Sequence, residues 1–239
     1  MSLEQARSKK LNIDWIKEPK PTKPSFLGTK VFKSFDLKKI CEFIDWNPFF
    51  QVWNLRGTYP NRSFPKIFND PQIGSEAKKI HQEALEMIEK IISENLVQAN
   101  AVVGFFPATS NDKDDILIYD EKREKVIDTL HTLRQQVKTD SSNLHLALSD
   151  FIAPSSSNVQ DYIGLFAVSA GFGVDHLVEK YKKENDDYNA IMISAVADRL
   201  AEAFAELLHT MVRKELWGYS PNEKLSIQET LKVKYQGIR

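Results

Sequence analysis

Hydrophobic and polar positions follow helical spacing at both ends of this chain and strand-like spacing in its middle. From Val31 the apolar residues fall at Phe35, Ile40, Phe43, Ile44 and Trp46, which suits a short amphipathic helix. The next stretch, IDWNPFFQVWNLRGTYP, is broken by Pro48 and Pro60 and is heavily apolar at Phe49, Phe50, Val52 and Trp53. It reads as a loop leading into a buried helix. NRSFPKIFNDPQIG is punctuated by Pro65, Pro71 and Gly74 and reads as loop. Over residues 75–95 the positions Ala77, Ile80, Ala84, Leu85, Met87, Ile88, Ile91 and Ile92 predict a helix, with Glu76/Lys79 and Glu86/Lys90 as exposed pairs.

The middle is rich in strand signals. AVVGFF (Ala101 to Phe106), DILIY (Asp115 to Tyr119), LHLALSDFI (Leu144 to Ile152) and DYIGLFAVSA (Asp161 to Ala170) are four strand candidates. NDKDD joins the first two as a hairpin turn, a helix is predicted from Glu124 to Lys138, and PSSSN (Pro154 to Asn158) is a polar turn. From Asp187 to Trp217 apolar residues recur every three to four positions. They predict one helix of about 30 residues, about 45 Å long, with a wide apolar stripe. Trp217-Gly218-Tyr219-Ser220-Pro221 ends it, and a short helix follows near Ser226 to Leu231. The pattern predicts an α+β fold with no internal repeat. Residues 1–30 read as a lead-in arm, because KEPKPTKP (Lys17 to Pro24) has the composition of a semi-rigid spacer, and residues 31–239 as the folded domain.

Charge and composition then narrow the function. Lysine plus arginine (32) nearly cancels aspartate plus glutamate (33), so a net charge of -1 supplies no field that would gather nucleic acid or an acidic membrane surface. No run of about 20 apolar residues is present to span a membrane. The opening MSLEQARSKK carries no targeting signal. The single cysteine, Cys41, excludes an internal disulfide and a multi-cysteine zinc site, and the expected compartment is a reducing cytoplasm. P-loop, HExxH, GxSxG and GxGxxG motifs are absent, and the five histidines are scattered.

Three residues stand out chemically. Asp45, beside Trp46, Phe49 and Phe50, is either a helix N-cap or a carboxylate held for a cationic ligand. Glu202 lies among Ala197, Ala201, Ala203 and Ala205, which let a ligand come close; the plainer reading is a solvated glutamate beside Arg199 or Glu206. Arg239, in KYQGIR, is either a carboxylate partner or part of a frayed tail.

In this order and spacing, IDWNPFFQVW, LRGTYPNRSFPKIF, VVGFFPA, DDILIY, LRQQ, LSDFIAP, DYIGLFAV, DDYNAIM, DRLAEAFAE, LWGYSPNE and YQGIR resemble the activation domain of cobalamin-dependent methionine synthase. The resemblance runs from about residue 11 to 239. It implies a single C-shaped α+β domain with a twisted antiparallel sheet flanked by helices, including one long C-terminal helix. It implies S-adenosylmethionine as ligand, cobalamin carried by a neighbouring cobalamin-binding domain, and flavodoxin or a diflavin reductase as electron donor. The implied role is reductive methylation of cob(II)alamin to methylcobalamin in methionine biosynthesis, by a module of a methyltransferase that is not a catalyst alone. The family's ligand residues fall on Asp45, for the methionine amino group, on Glu202, and on Arg239, for the methionine carboxylate; no metal ligand or catalytic residue is implied. In the family the arginine opens an RPAPGYP segment that this sequence does not contain, and Val233 stands where some members carry a ligand-holding carboxylate. The competing expectation is a docking protein for a cobalamin-binding module or flavodoxin that does not bind S-adenosylmethionine. A Rossmann-type methyltransferase is disfavoured by the missing glycine loop and by strands that do not alternate with helices.

Overall fold

The computed structural model describes residues 1–137 and 143–237. Strands β1 (Gly28–Phe32), β2 (Gln98–Ser110), β3 (Asp115–Tyr119), β4 (Val126–His131) and β5 (Asp161–Phe172) form one sheet in the order β1-β2-β3-β4, with β5 also paired to β2. The helices are α1 (Leu3–Arg7), α2 (Leu37–Cys41), α3 (Trp46–Val52), α4 (Gly74–Ser93), α5 (Val174–Lys183), α6 (Asp187–Met211) and α7 (Ile227–Leu231). This is the expected α+β class. The chain gathers into two compact units. One contains Met1–Lys30, Val103–Phe166 and Val212–Pro221; the other contains Val31–Val102, Ala167–Met211 and Asn222–Arg239.

The first unit is built on two antiparallel ladders. β2 pairs with β3 through Ala108↔Ile118, Thr109↔Leu117 and Ser110↔Ile116. The intervening turn is the hairpin expected from NDKDD: the side-chain oxygen of Asn111 accepts the N–H groups of Lys113 and Asp115 at 2.9 and 3.0 Å. Strand alternation follows, with Ile116 and Ile118 buried.

β3 pairs in turn with β4, from Asp115↔His131 to Tyr119↔Val126. Here the helix predicted over Glu124 to Lys138 is corrected. The Asp120 carboxylate accepts the N–H groups of Glu124 and Lys125, reversing the chain, and Arg123 sits at φ 60. The β-branched Val126, Ile127 and Thr129 then continue along the free edge of β3.

The strand predicted over Leu144 to Ile152 is also corrected. It is extended only at its start and turns as a 3-10 segment over Leu148–Phe151. Its alternation is real but inverted: Leu144, Leu146 and Leu148 are exposed, whereas His145, Ala147 and Ser149 are buried. The reason is Arg134, a buried guanidinium that needs acceptors. It donates to Asp114 Oδ1 (2.9 and 2.6 Å), to both Asp150 oxygens (2.9 and 2.6 Å) and to the His145 carbonyl (2.6 Å). Arg7, at the end of α1, donates to the other Asp114 oxygen at 2.7 Å. Burial alone would raise the Asp114 carboxyl, but the two arginines outweigh it and hold it below its ordinary range. The lead-in residues of this unit have further anchors, among them Trp217 Nε1 donating to the Thr22 carbonyl at 2.8 Å.

In the second unit α6 is the axis, packed by α2, α3, α4, α5 and α7. Ala190, Met192, Ile193, Ala195, Val196, Ala197, Leu200, Ala203, Phe204 and Leu208 are all buried. Burying the larger of these contributes roughly 1.5–3 kcal/mol each. The predicted 30-residue helix is thus α6 followed by a π-helical turn, Val212–Leu216, after which Gly218 reverses the chain at φ 83. α5, for which the sequence pattern gives no prediction, has Gly173 as its N-cap. That residue has φ 102, and a Cβ there would lie 2.4 Å from the Leu96 carbonyl oxygen, so only glycine fits.

Arg134→Leu would leave Asp114 and Asp150 buried without their shared cation. We expect a loss of about 3–5 kcal/mol in urea unfolding, and a smaller loss for Arg134→Lys, which keeps the charge but not the fork.

Candidate functional site

Asp45 sits at the N-terminus of α3, half-buried, with extended backbone (φ -84, ψ 112). Its side chain caps the helix, so the structural role expected of it is present. Oδ1 accepts the Asn47 N–H at 3.0 Å and the Asn47 side-chain amide at 2.7 Å. Oδ2 has no hydrogen-bond partner among the described residues, so the cap leaves one carboxylate oxygen open to a cationic group.

The elements around Asp45 are fixed by an aromatic cluster. Trp46 packs edge-on against Phe49 and against His81 of α4, at ring-centroid distances of 5.3 and 4.5 Å. Phe64 and Phe68 close on the same imidazole, each at 5.3 Å. At the far end of α3, Trp53 meets Tyr188 of α6 at 5.0 Å. Burial lowers the His81 pKa, which keeps the ring neutral and at home among these aromatic edges.

The loop between α3 and α4 is held from within. Asp70, buried, accepts the Thr58 N–H and hydroxyl, both at 2.9 Å, and the N–H groups of Gln72 and Ile73. The N–H groups of Thr58 and Gln72, followed by the Thr58 hydroxyl, lead the effects that pull its carboxyl from 3.8 down to about 2. Beside this loop, Asn47, Phe50, Arg56, Gly57 and Arg62 help to line a cavity of about 250 Å³.

Glu202 lies on α6, in the same unit as Asp45, and α3 packs on α6. The two carboxylates do not touch: Asp45 is bonded to Asn47, and Glu202 to Arg199. The latter pair is a fork on one helix, Nη1 to Oε2 at 3.0 Å and Nη2 to Oε1 at 3.1 Å. The Glu202 side chain is 67% exposed and that of Arg199 is 11% exposed. With the Glu202 carboxylate largely in water the pair contributes on the order of 1 kcal/mol or less, and the open side of that carboxylate can be approached by a ligand cation.

One turn earlier on α6, Ser194, Ala197, Asp198 and Ala201 line a groove of about 690 Å³ with Val168–Asp175. Of the four alanines around Glu202, Ala197 and Ala201 line this groove, whereas Ala203 is buried and Glu202 is not among the lining residues. Arg239 lies outside the described residues. Val233 follows α7 at φ 57 and offers no charge. Among the described residues no cluster of three histidine, cysteine, aspartate or glutamate side chains is placed to hold a metal ion, and no helix is long and apolar enough to cross a membrane. Sequence reasoning missed Asn47 and Asp70. The Asp-x-Asn spacing at 45–47 was the available signal for the first, and Asn-Asp-Pro before α4 for the second.

The family model for the activation domain of vitamin B12 dependent methionine synthase matches residues 36–239. A crystal structure of the MetH reactivation domain bound to AdoHcy is similar at 42% sequence identity with a TM-score of 0.92. The match covers 100% of this chain and 71% of that one.

Asp70→Asn should lower the melting temperature at neutral pH. Because the folded carboxyl titrates at about 2, the advantage of the native protein over this variant should be full above about pH 4 and fade as pH falls toward 2. Thermal melts of both proteins across that range check the sign.

Proposed function

This chain belongs to the family of activation domains of vitamin B12-dependent methionine synthase, and from that premise we propose that it is the S-adenosylmethionine-binding reactivation module of that methyltransferase. The observation that carries the reading is the 42% identity over the whole chain to a reactivation domain that holds AdoHcy. Bound to this domain, S-adenosylmethionine supplies the methyl group, and flavodoxin or a diflavin reductase the electron, that return inert cob(II)alamin on the neighbouring cobalamin-binding domain to methylcobalamin. The module works in the cytoplasm and is not a catalyst alone.

The residues present fit an amino-acid ligand with a positive end. In this reading Oδ2 of Asp45 takes the ligand ammonium, in a charge-assisted contact of the strong kind. Glu202, itself exposed, exchanges its partner Arg199 for the ligand, and Arg239 pairs with the ligand carboxylate. The protein's own contribution is placement: it fixes the methyl donor relative to its acceptor and excludes water around the few polar contacts. The second reading, a docking protein without this ligand, is favoured by Val233, which supplies no carboxylate.

Titration calorimetry with S-adenosylmethionine and AdoHcy separates the two. The unmodified chain should bind both. Asp45→Asn should weaken binding at least about tenfold, the cost of losing a hydrogen bond to a charged group. Its melting temperature should hardly change, because asparagine caps a helix as well as aspartate. Glu202→Gln should weaken binding less. No binding by the unmodified chain would overturn this reading in favour of docking.

A further inference from the structure

The cap of α3 is built from an uncommon set of donors. An N-cap carboxylate ordinarily takes an N–H from the second or third helical residue. Here the third is Pro48, which has none. Asn47 donates twice instead, from its backbone and from its side-chain amide, and both bonds fall on Oδ1 of Asp45, at 3.0 and 2.7 Å. The amide has only one workable orientation. Its oxygen accepts the Phe64 N–H at 2.8 Å, and because a backbone N–H can only donate, the NH₂ end is left facing Asp45. Phe64 is itself fixed, its ring packed against Trp46, Phe68 and His81. A chain of directed bonds therefore runs from the aromatic cluster through Asn47 to one oxygen of Asp45.

A carboxylate torsion is broad and nearly two-fold, so an aspartate held by a single N–H readily exchanges its two oxygens. Two donors on one oxygen remove that freedom and leave the other oxygen facing outward. We propose that Asn47 is a positioning residue for ligand binding: it locks Oδ1 of Asp45 and thereby presents Oδ2 to the ammonium group of an amino-acid ligand. This inference rests on the reading of Asp45 given above. It adds that affinity for the ammonium depends on a neighbour that never touches the ligand.

The test uses the full 239-residue chain, with AdoHcy and its deamino analogue, which carries hydrogen in place of the amino group, as probes in calorimetry. Asn47→Ala should weaken AdoHcy about tenfold and leave the deamino analogue unchanged. In the Asp45→Asn background it should weaken AdoHcy no further. Asn47→Ser, whose hydroxyl can replace the amide donor, should recover most of the affinity, and it carries the comparison if the alanine variant unfolds.

Equal weakening of both ligands would show that Asn47 only supports the local fold, and would overturn the proposal. So would native affinity in Asn47→Ala when Asp45→Asn is impaired; that result leaves the reading of Asp45 standing. Native affinity in Asp45→Asn, or no AdoHcy binding by the unmodified chain, would overturn the reading of Asp45 and the proposal together.

Discussion

The second unit depends on a helix that has no solvent face wide enough to leave bare. α6 carries apolar residues around most of its circumference, and five other helices pack on it to remove them from water. A helix of that composition is stable only as an axis. Its alanines at 190, 195, 197 and 203 let neighbours approach closely, while Phe204 and Leu208 are completely buried. α3 is placed by this packing, and with it Asp45. The same helix projects Glu202 on the turn where its surface becomes polar.

Against that apolar axis, the irregular segments are fixed by buried polar groups with nearly complete sets of partners. Asp70 gathers four donors and holds the loop between α3 and α4. In the first unit Arg134 and Asp114 do the equivalent work for the segment after β4. A buried charge without partners is strongly unfavourable, so each such group dictates the path of the backbone around it. Asp45 differs from both. Among the described residues its partners satisfy one oxygen only, and the oxygen left open at a half-buried cap is the feature that suits it to a ligand.

The two candidate carboxylates are prepared in different ways. Asp45 is held by hydrogen bonds that a ligand would not need to break. Glu202, exposed, is held by the largely covered Arg199, a contact that a ligand would have to replace. The first arrangement is preorganised and the second adjustable, and preorganisation spares the entropy of ordering a side chain on binding.

Local signals in the sequence determined the long helices, the β2–β3 hairpin, the polar turn at Pro154 to Asn158 and the short helix after Ser226, because periodicity and turn chemistry are properties of neighbouring residues. They also marked Asp45 as a cap, and the run of motifs identified the family. They failed wherever a distant partner outweighed the local pattern. Residues 126–131 had a composition compatible with helix, but the open edge of β3 made them a strand. The leucines at 144, 146 and 148 alternated as a strand should, but Arg134 claimed the face that they would have taken. The open oxygen of Asp45 was equally illegible, because it is set by Asn47 and by Phe64, which lies 17 positions further along the chain. Hydrogen bonds between remote residues leave no period in a sequence; only the folded chain, by bringing their donors and acceptors together out of water, decides them.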